Sequence, residues 1–559
     1  MVKNLWSSLR RKNFFTVTYI FLLVFYAFSL FFNLGVAPFY NEEPRRSIIA
    51  MEMLHNHNFL VTTLFNDTFY DHPPLWNVVL AVSAKIFGSD TEFAFRFPCA
   101  LSLLLTGYVV FYMGKKYVGQ LFGVISGFLY LVSVDLYFFF SNTAEIDIFF
   151  SLLVVVSMLS VFHFYEQKRY TSLFLVAYLF CFLGFLTKGV VALVFLGITL
   201  LVFFMYRKDS KIMFLPIHFV AAFLCLGGIV TFFYIYGRFD NMEACIKGMW
   251  NITRNKSFLD KENNAFISHF FWFPINMLGN LFPTTLLIFF LFKKSVLVKV
   301  KENPYIIFLL LVFASNFLLY WISPGAKARY TYMFYPMLIS ILTYGFFVSE
   351  NKNGWVTKLF LGVFPFITFI LAIGCLVLPF IDYFKILETL YIFPLLGITT
   401  LILFNKQLKC HTIWGRLTLG FITIIMVKFV FSLTVYPLKQ KRSASAIFKD
   451  HAKNILEITK DTPIYLYSEL GAFGHYEIGK FYITGAYLEL MGNRPLKKTS
   501  IYGNSGYYIL HKEELSDQEV LYTIDGARCC LVLIENPARH SETWKHIPEP
   551  TSHQNEAPH

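Results

Sequence analysis

Runs of about twenty apolar residues, broken by short polar stretches, occupy most of this chain, and each is long enough to cross a hydrocarbon layer about 30 Å thick. The pattern predicts thirteen such segments, at 14–33, 95–113, 118–138, 144–164, 171–186, 189–205, 213–236, 270–292, 304–322, 330–348, 357–380, 389–404 and 415–436. They are too long and too uniformly apolar for alternating barrel strands, so helices are expected. No small-residue cleavage site follows the first, which is read as retained. After residue 436 the rhythm changes. SASAIFKDHAKNILEITK has the spacing of an amphipathic helix, and PIYLYSE, KFYITG, GYYILHK and CCLVLIE are expected as short strands, with a frayed tail at EPTSHQNEAPH. The predicted fold is a polytopic α-helical membrane domain at 1–436, with long loops at 34–94 and 237–269, followed by an extramembrane α/β domain at 437–559.

Composition supports this class: 56% hydrophobic and 15% charged residues do not make the surface of a soluble globule. The formal net charge of +13 resides largely in loops of one parity, among them LRRK, QKR, YRKDSK, FKKSVLVKVKE and NKQLK. Short basic loops stay on the cytoplasmic side, so the N-terminus is expected inside. The long loops and, after an odd number of spans, the C-terminal domain are then expected outside. The charge is a topology signal with some attraction for anionic lipid, and asks for no nucleic acid. Eight cysteines show no metal-binding spacing and are expected as buried small hydrophobes. Sequons at Asn66 and Asn251 bear on glycosylation only in a eukaryotic secretory route.

The unusual polar residues share the external face. Asn41, Glu42 and Glu43 precede a helix with Pro44 in its first turn, which suits capping, while Arg45 beside the acids suits a base held next to its cation. In FYDHPP, residues 69–74, the prolines deny Asp71 and His72 a helical context, and PPLWNVVLAVSAKIFG is too short to span and suits the interface. Glu145 and Asp147 stand at the mouth of a span. Two apart on a helix they would face roughly opposite ways, so a metal clamp by both is not expected. Lys188 in LTKGVV, and Lys327 and Arg329 in SPGAKARY, are cations in external turns, against the positive-inside trend. An anion such as phosphate suits them better than anchoring. His269 is a further candidate ligand or proton carrier.

In order and spacing these motifs resemble the GT-C glycosyltransferases that use polyprenyl-phosphate sugars, among them the bacterial lipid A 4-amino-4-deoxy-L-arabinose transferases and, more distantly, the protein O-mannosyltransferases. The resemblance runs through the acidic pair with Arg45 and EML at 52–54, FYDHPP, EFAFRFPCAL, AEIDIFF, TKG and a final SxxxKxRY-like turn, over about residues 14–350. It implies a sugar transfer with inversion from a polyprenyl-phosphate donor to lipid A, a glycan or a protein. By position, Glu42 takes the place of the family's first-loop catalytic acid, usually Asp, with Glu43 its neighbour and Asp147 the second-loop acid. Arg45, His72, Lys188, Lys327, Arg329 and Tyr330 fall to substrate and phosphate. His72 stands where relatives carry Lys. Asp71, with His269, falls to a divalent metal, Zn or Mg/Mn. The resemblance also implies a bacterial inner-membrane protein with its site in the periplasm. A protein O-glycosyltransferase and a polyprenyl-lipid transporter or flippase stay open as alternatives. The transporter predicts charged groups at mid-membrane and an internal repeat, whereas the middle of most spans is free of charge and no repeat relates the two halves.

Overall fold

In the computed structural model, residues 2–88, 91–255, 263–349, 354–467 and 481–535 are described, and the predicted frayed tail lies outside them. Up to residue 459 the described elements are helices apart from one short hairpin: α1 (Val2–Phe31), α2 (Glu43–His55), α3 (Leu75–Phe87), α4 (Glu92–Tyr117), α5 (Gln120–Leu131), α6 (Ile146–Glu166), α7 (Tyr170–Lys188), α8 (Val191–Arg207), α9 (Pro216–Tyr236), α10 (Met242–Asn255), α11 (Asn263–Asn280), α12 (Lys294–Glu302), α13 (Pro304–Trp321), α14 (Tyr335–Val348), α15 (Trp355–Val377), α16 (Phe393–Lys409), α17 (Ile413–Arg442) and α18 (Ala444–Thr459). Among the described residues nine helices are long and apolar enough to cross a membrane, or up to eleven if each of two bent pairs is one span. Residues 17–31 of α1, together with α8, are shorter apolar helices that occupy the other two predicted positions.

Two predicted spans are not straight. The segment predicted at 118–138 is α5 followed, after a 54° bend, by a π-turn at Asp135–Phe139 and a 3₁₀ turn at Phe140–Asn142. The segment predicted at 270–292 bends by 110° between α11 and a 3₁₀ stretch at Thr284–Phe290. Pro283, which has no N–H to continue the ladder, stands at that break.

The C-terminal region forms a five-stranded sheet in the order β4-β3-β5-β7-β6, from β3 (Ile464–Tyr467), β4 (Lys497–Thr499), β5 (Gly506–His511), β6 (Val520–Ile524) and β7 (Cys529–Ile534). β3 runs parallel to β4 and β5, and β7 antiparallel to β5 and β6. One expectation fails here: KFYITG is no strand, because Phe481–Gly492 is a helix, α19. Its continuation AYLELM consists mostly of strong helix formers, and buried Phe481, Gly485, Leu488 and Glu489 recur at helical spacing. The cysteines are free, and all except the partly exposed Cys410 are buried.

α19 packs on α2 and α18, which ties the sheet region to the membrane domain. A two-stranded hairpin in the first loop, β1 (Thr63–Leu64) and β2 (Asp67–Thr68), docks on the same helix. The Phe65 ring stacks on Tyr482 at 5.8 Å and fills the space beside Gly485, where a Cβ would come within 2.8 Å of it.

Candidate functional site

α2 presents the first loop's polar residues. Asn41 has φ +56°, in the left-handed region Asn tolerates, and Pro44 starts the helix behind Glu42 at the N-cap. The two acids then diverge. Glu42 is partly exposed and pairs with Arg45 one turn on. Glu43 is fully buried, its two oxygens accepting from Arg96 Nε and Nη2 at 2.8 and 2.9 Å, from the Ala144 amide at 2.9 Å and from the Tyr40 amide at 3.1 Å. Arg96 also donates to the carbonyls of Leu34, Ala37 and Pro38. The expected catalytic Glu43 is therefore turned away from the open site, and with Arg96 it binds α2, α4, the first loop and the start of α6 together. Arg96 was legible only as part of EFAFRFPCAL.

At the start of α6, Glu145 has extended backbone (φ −84°, ψ 144°) ahead of the first helical turn. The expectation that Glu145 and Asp147 diverge assumed helix at both positions, and it is corrected: both meet Arg329, Glu145 Oε1 at 2.9 Å from Nη1 and Asp147 Oδ2 at 3.4 Å from Nε. Lys188, the last residue of α7, pairs with the other oxygen of Asp147 and lies 4.9 Å from the Tyr330 ring centroid. Burial, opposed by Arg329 and reinforced by Asp147, pushes Glu145 up to about 7.

Asp71 Oδ2 lies 3.6 Å from Arg45 and 3.9 Å from Arg46. These groups line one polar cavity of about 290 Å³, with Glu42, Arg45, Arg46, Asp71, His72, Glu145, Asp147, Lys188, Lys327, Arg329 and Tyr330 in its wall. Residues from positions 42 to 330 thus share one space, as the sequence predicted, except Glu43 and His269. Arg46, left out of the expected set, belongs to it; its signal was a second arginine next to Arg45 on the helix of the first long loop.

The wall carries five Lys/Arg against four Asp/Glu side chains. Arg45 Nε and Arg46 Nε are buried without a hydrogen-bond partner among the described residues. Burial and the neighbouring Arg45 draw Arg46 below its ordinary value, a cost that a bound anion would relieve.

The predicted metal ligands are not assembled. His269 Nε2 lies 3.0 Å from the Tyr320 carbonyl, and His269 lines neither this cavity nor the next. Among the described residues no three His, Cys, Asp or Glu side chains form a group fit for an ion. With Asp71 facing two arginines, the described side chains around it do not fit a resident metal.

A second, apolar cavity of about 490 Å³ adjoins the first and shares Asp71, His72, Lys188 and Tyr330 with it. Its far wall includes Phe185, Val194, Leu226, Ile229, Phe233 and Trp250. α10 supplies Ile246, Met249 and Trp250 and sits close because Gly248 faces Tyr70, where a Cβ would fall 2.5 Å from its carbonyl oxygen.

A family profile described as dolichyl-phosphate-mannose-protein mannosyltransferase matches residues 71–235. The chain is 26% identical over 170 residues to an undecaprenyl phosphate-alpha-4-amino-4-deoxy-L-arabinose arabinosyl transferase of Photorhabdus laumondii, covering 30% of this chain and 31% of that one. It is 29% identical over 187 residues to the enzyme of that name from Yersinia enterocolitica, covering 32% and 33%. These matches span about a third of the curated relatives' length. The structure of ArnT from Cupriavidus metallidurans bound to undecaprenyl phosphate aligns with a TM-score of 0.64 at 15% identity, over 93% of this chain and 98% of that one. Its apo form gives 0.65 at 14% identity, over 94% and 98%. The chain is a multi-span membrane protein with the GT-C fold.

Proposed function

We propose that this GT-C membrane protein is an inverting glycosyltransferase that moves a sugar from a polyprenyl-phosphate carrier to lipid A or another acceptor at the periplasmic face of a bacterial inner membrane. The observation that carries the reading is the junction of the two cavities: a cationic pocket the size of a sugar and its phosphate opens at His72, Lys188 and Tyr330 into an apolar groove. An amphipathic donor with an isoprenoid tail and an anionic head matches both halves at once. The relatives' names include undecaprenyl phosphate as carrier, and basic loops on one parity support the orientation.

In this mechanism the carrier phosphate is the leaving group. Lys327, whose ammonium is engaged by no carboxylate among the described residues, joins Arg45 and Arg46 in stabilising the charge that grows on it. Lys188 and Arg329 are already engaged by Asp147 and Glu145 and fix that wall. Glu42, held by Arg45, takes the proton of an acceptor hydroxyl as its oxygen attacks the anomeric carbon from the face opposite the phosphate. One displacement inverts that carbon. A phosphate acceptor needs no base, and Glu42 then orients it.

The test is transfer from labelled undecaprenyl-phosphate-linked sugars, 4-amino-4-deoxy-L-arabinose among them, to lipid A, peptide and glycan acceptors. Label is expected on one acceptor with inverted configuration, falling by roughly 10²- to 10⁴-fold in Glu42→Ala for a hydroxyl acceptor. Failure with every carrier overturns the reading. Full activity of Glu42→Ala on a hydroxyl acceptor overturns the role of Glu42 alone.

A further inference from the structure

Lys428 stands in the middle of α17, inside a predicted span, and is fully buried. Its Nζ donates to Asn142 Oδ1 at 2.9 Å and to Tyr436 OH at 2.8 Å, and no carboxylate pairs with it among the described residues. Four rings enclose it, with centroids 5.5 Å away at Tyr137, 5.8 Å at Phe138, 5.5 Å at Phe431 and 5.3 Å at Tyr436. A lysine without a counter-ion at membrane depth is costly, and an aromatic cage offsets only part of that cost. A methionine would fill the same cage at less expense. The polar contact at Asn142 therefore distinguishes lysine from an apolar residue here.

Asn142 ends the 3₁₀ turn that follows the π-turn, and the next three residues lead to Glu145. This segment is held at three further points. The Ala144 amide donates to Glu43, the Ala144 carbonyl accepts from Trp76 Nε1 at 3.1 Å, and Glu145 meets Arg329. Asn142 Nδ2 donates to the Phe138 carbonyl at 2.8 Å, so its Oδ1 is left for Lys428.

We infer that Lys428 is a positioning residue: through Asn142 it fixes the segment 142–147 and so sets where Glu145 and Asp147 stand in the polar cavity. As a statement about sugar transfer this rests on the function proposed above; as a statement about the segment it does not.

The experiment compares full-length wild type, Lys428→Met, Asn142→Ala and the double variant. Amide hydrogen exchange across 140–147 and thermal stability are measured alongside kcat and KM for labelled undecaprenyl-phosphate sugar. Lys428→Met is expected to keep the wild-type Tm, to raise exchange within 140–147 alone, and to lower kcat on the order of 100-fold with KM little changed. Asn142→Ala is expected to raise exchange in the same segment and to lower kcat alike, with a lower Tm because it leaves the buried Lys428 short of an acceptor, and the double variant is expected to lose no further kcat, since both break one link. A merely structural lysine would move Tm and leave kcat. Wild-type exchange at 140–147 in Lys428→Met, or additive losses in the double variant, overturns the inference. If Lys428→Met does not fold, an Asn142→Ala protein indistinguishable from wild type overturns it equally. If wild type transfers no sugar but exchange rises at 140–147, the glycosyl-transfer reading falls and the positioning role stands.

Discussion

Glu42 and Glu43 are adjacent and chemically alike, yet one faces the cavity and the other is locked in the protein. The sequence located the pair but not the division of roles, because helix phase at an N-cap depends on Asn41 adopting φ +56° and on a guanidinium from 53 residues away. Their variants separate the roles. Arg96→Met leaves Glu43 as a buried, partly uncompensated carboxylate, and losing one partner of such a pair costs about 3–5 kcal/mol. Arg96→Met is thus expected to lower Tm sharply and to reduce the yield of folded protein in detergent. Glu42→Gln, at a partly exposed ion pair worth about 0–1 kcal/mol, is expected to leave Tm nearly unchanged while transfer falls. Thermal melts of both proteins beside their kcat values decide it. Equal destabilisation by the two substitutions would contradict the assignment of Glu43 to structure.

The elements that bear the site are mostly the ones whose irregularity no apolar run announces. Glu145 meets Arg329 because it precedes α6 in extended conformation, and the π-turn at 135–139 re-aims the chain towards it. Hydrophobic periodicity located both spans and was blind to both breaks, since a bent apolar segment has the same composition as a straight one. KFYITG shows the reverse failure: six residues fit a strand, and packing against α2 and α18 together with the helix-forming residues downstream decided for α19. That helix also carries a testable device. Glu489 of α19 and Glu52 of α2 are both fully buried. Glu52 accepts from Thr63 and the Asn66 amide, Asn66 donates to the Leu496 carbonyl at 3.2 Å, and the Leu496 amide donates to Glu489 at 3.0 Å. Burial pushes Glu52 up to about 7, and burial with Glu52 as neighbour raises Glu489 well above the carboxylate range. Acids whose folded pKa is raised hold protons that the unfolded chain releases. The contribution of Glu52 to stability is complete below about pH 4.3, the ordinary value for Glu, and is lost as pH rises through about 7. Glu52→Gln is therefore expected to flatten the fall of Tm across pH 4.5–7.5 and to raise Tm above pH 7 at a fixed scan rate. A parallel pair of Tm profiles would show that Glu52 does not titrate in this window.

At the scale of the molecule the sequence carried the plan further than the details. Thirteen apolar segments, an α/β region after them and the meeting of polar residues from distant loops all correspond to features of the structure. Convergence was legible because cations in turns expected on the external face and acids at a span mouth are costly wherever they serve no common purpose. The apolar cavity was not legible, since Leu226, Ile229 and Phe233 look in sequence like any span facing lipid, and the placement of α10 is what adds Ile246, Met249 and Trp250 to the same wall. That wall makes a prediction independent of any sugar. If the groove holds an isoprenoid, affinity should grow with the tail, each buried methylene adding about 0.8 kcal/mol until the groove is filled. Inorganic phosphate should then bind weakly, farnesyl phosphate more tightly and undecaprenyl phosphate most tightly of the three. Trp250, in the wall of the groove, supplies the signal, with a fluorescence change on lipid binding that Trp250→Phe abolishes. Val194→Trp, which narrows the groove away from the charged residues, is expected to weaken undecaprenyl phosphate at least about tenfold, the equivalent of 1.4 kcal/mol, and to leave inorganic phosphate unaffected. Equal affinities for the short and the long phosphate would mean that the groove takes no tail. The polar cavity would then have to be assigned to a water-soluble anion, against the placement of His72, Lys188 and Tyr330 on the border of both cavities.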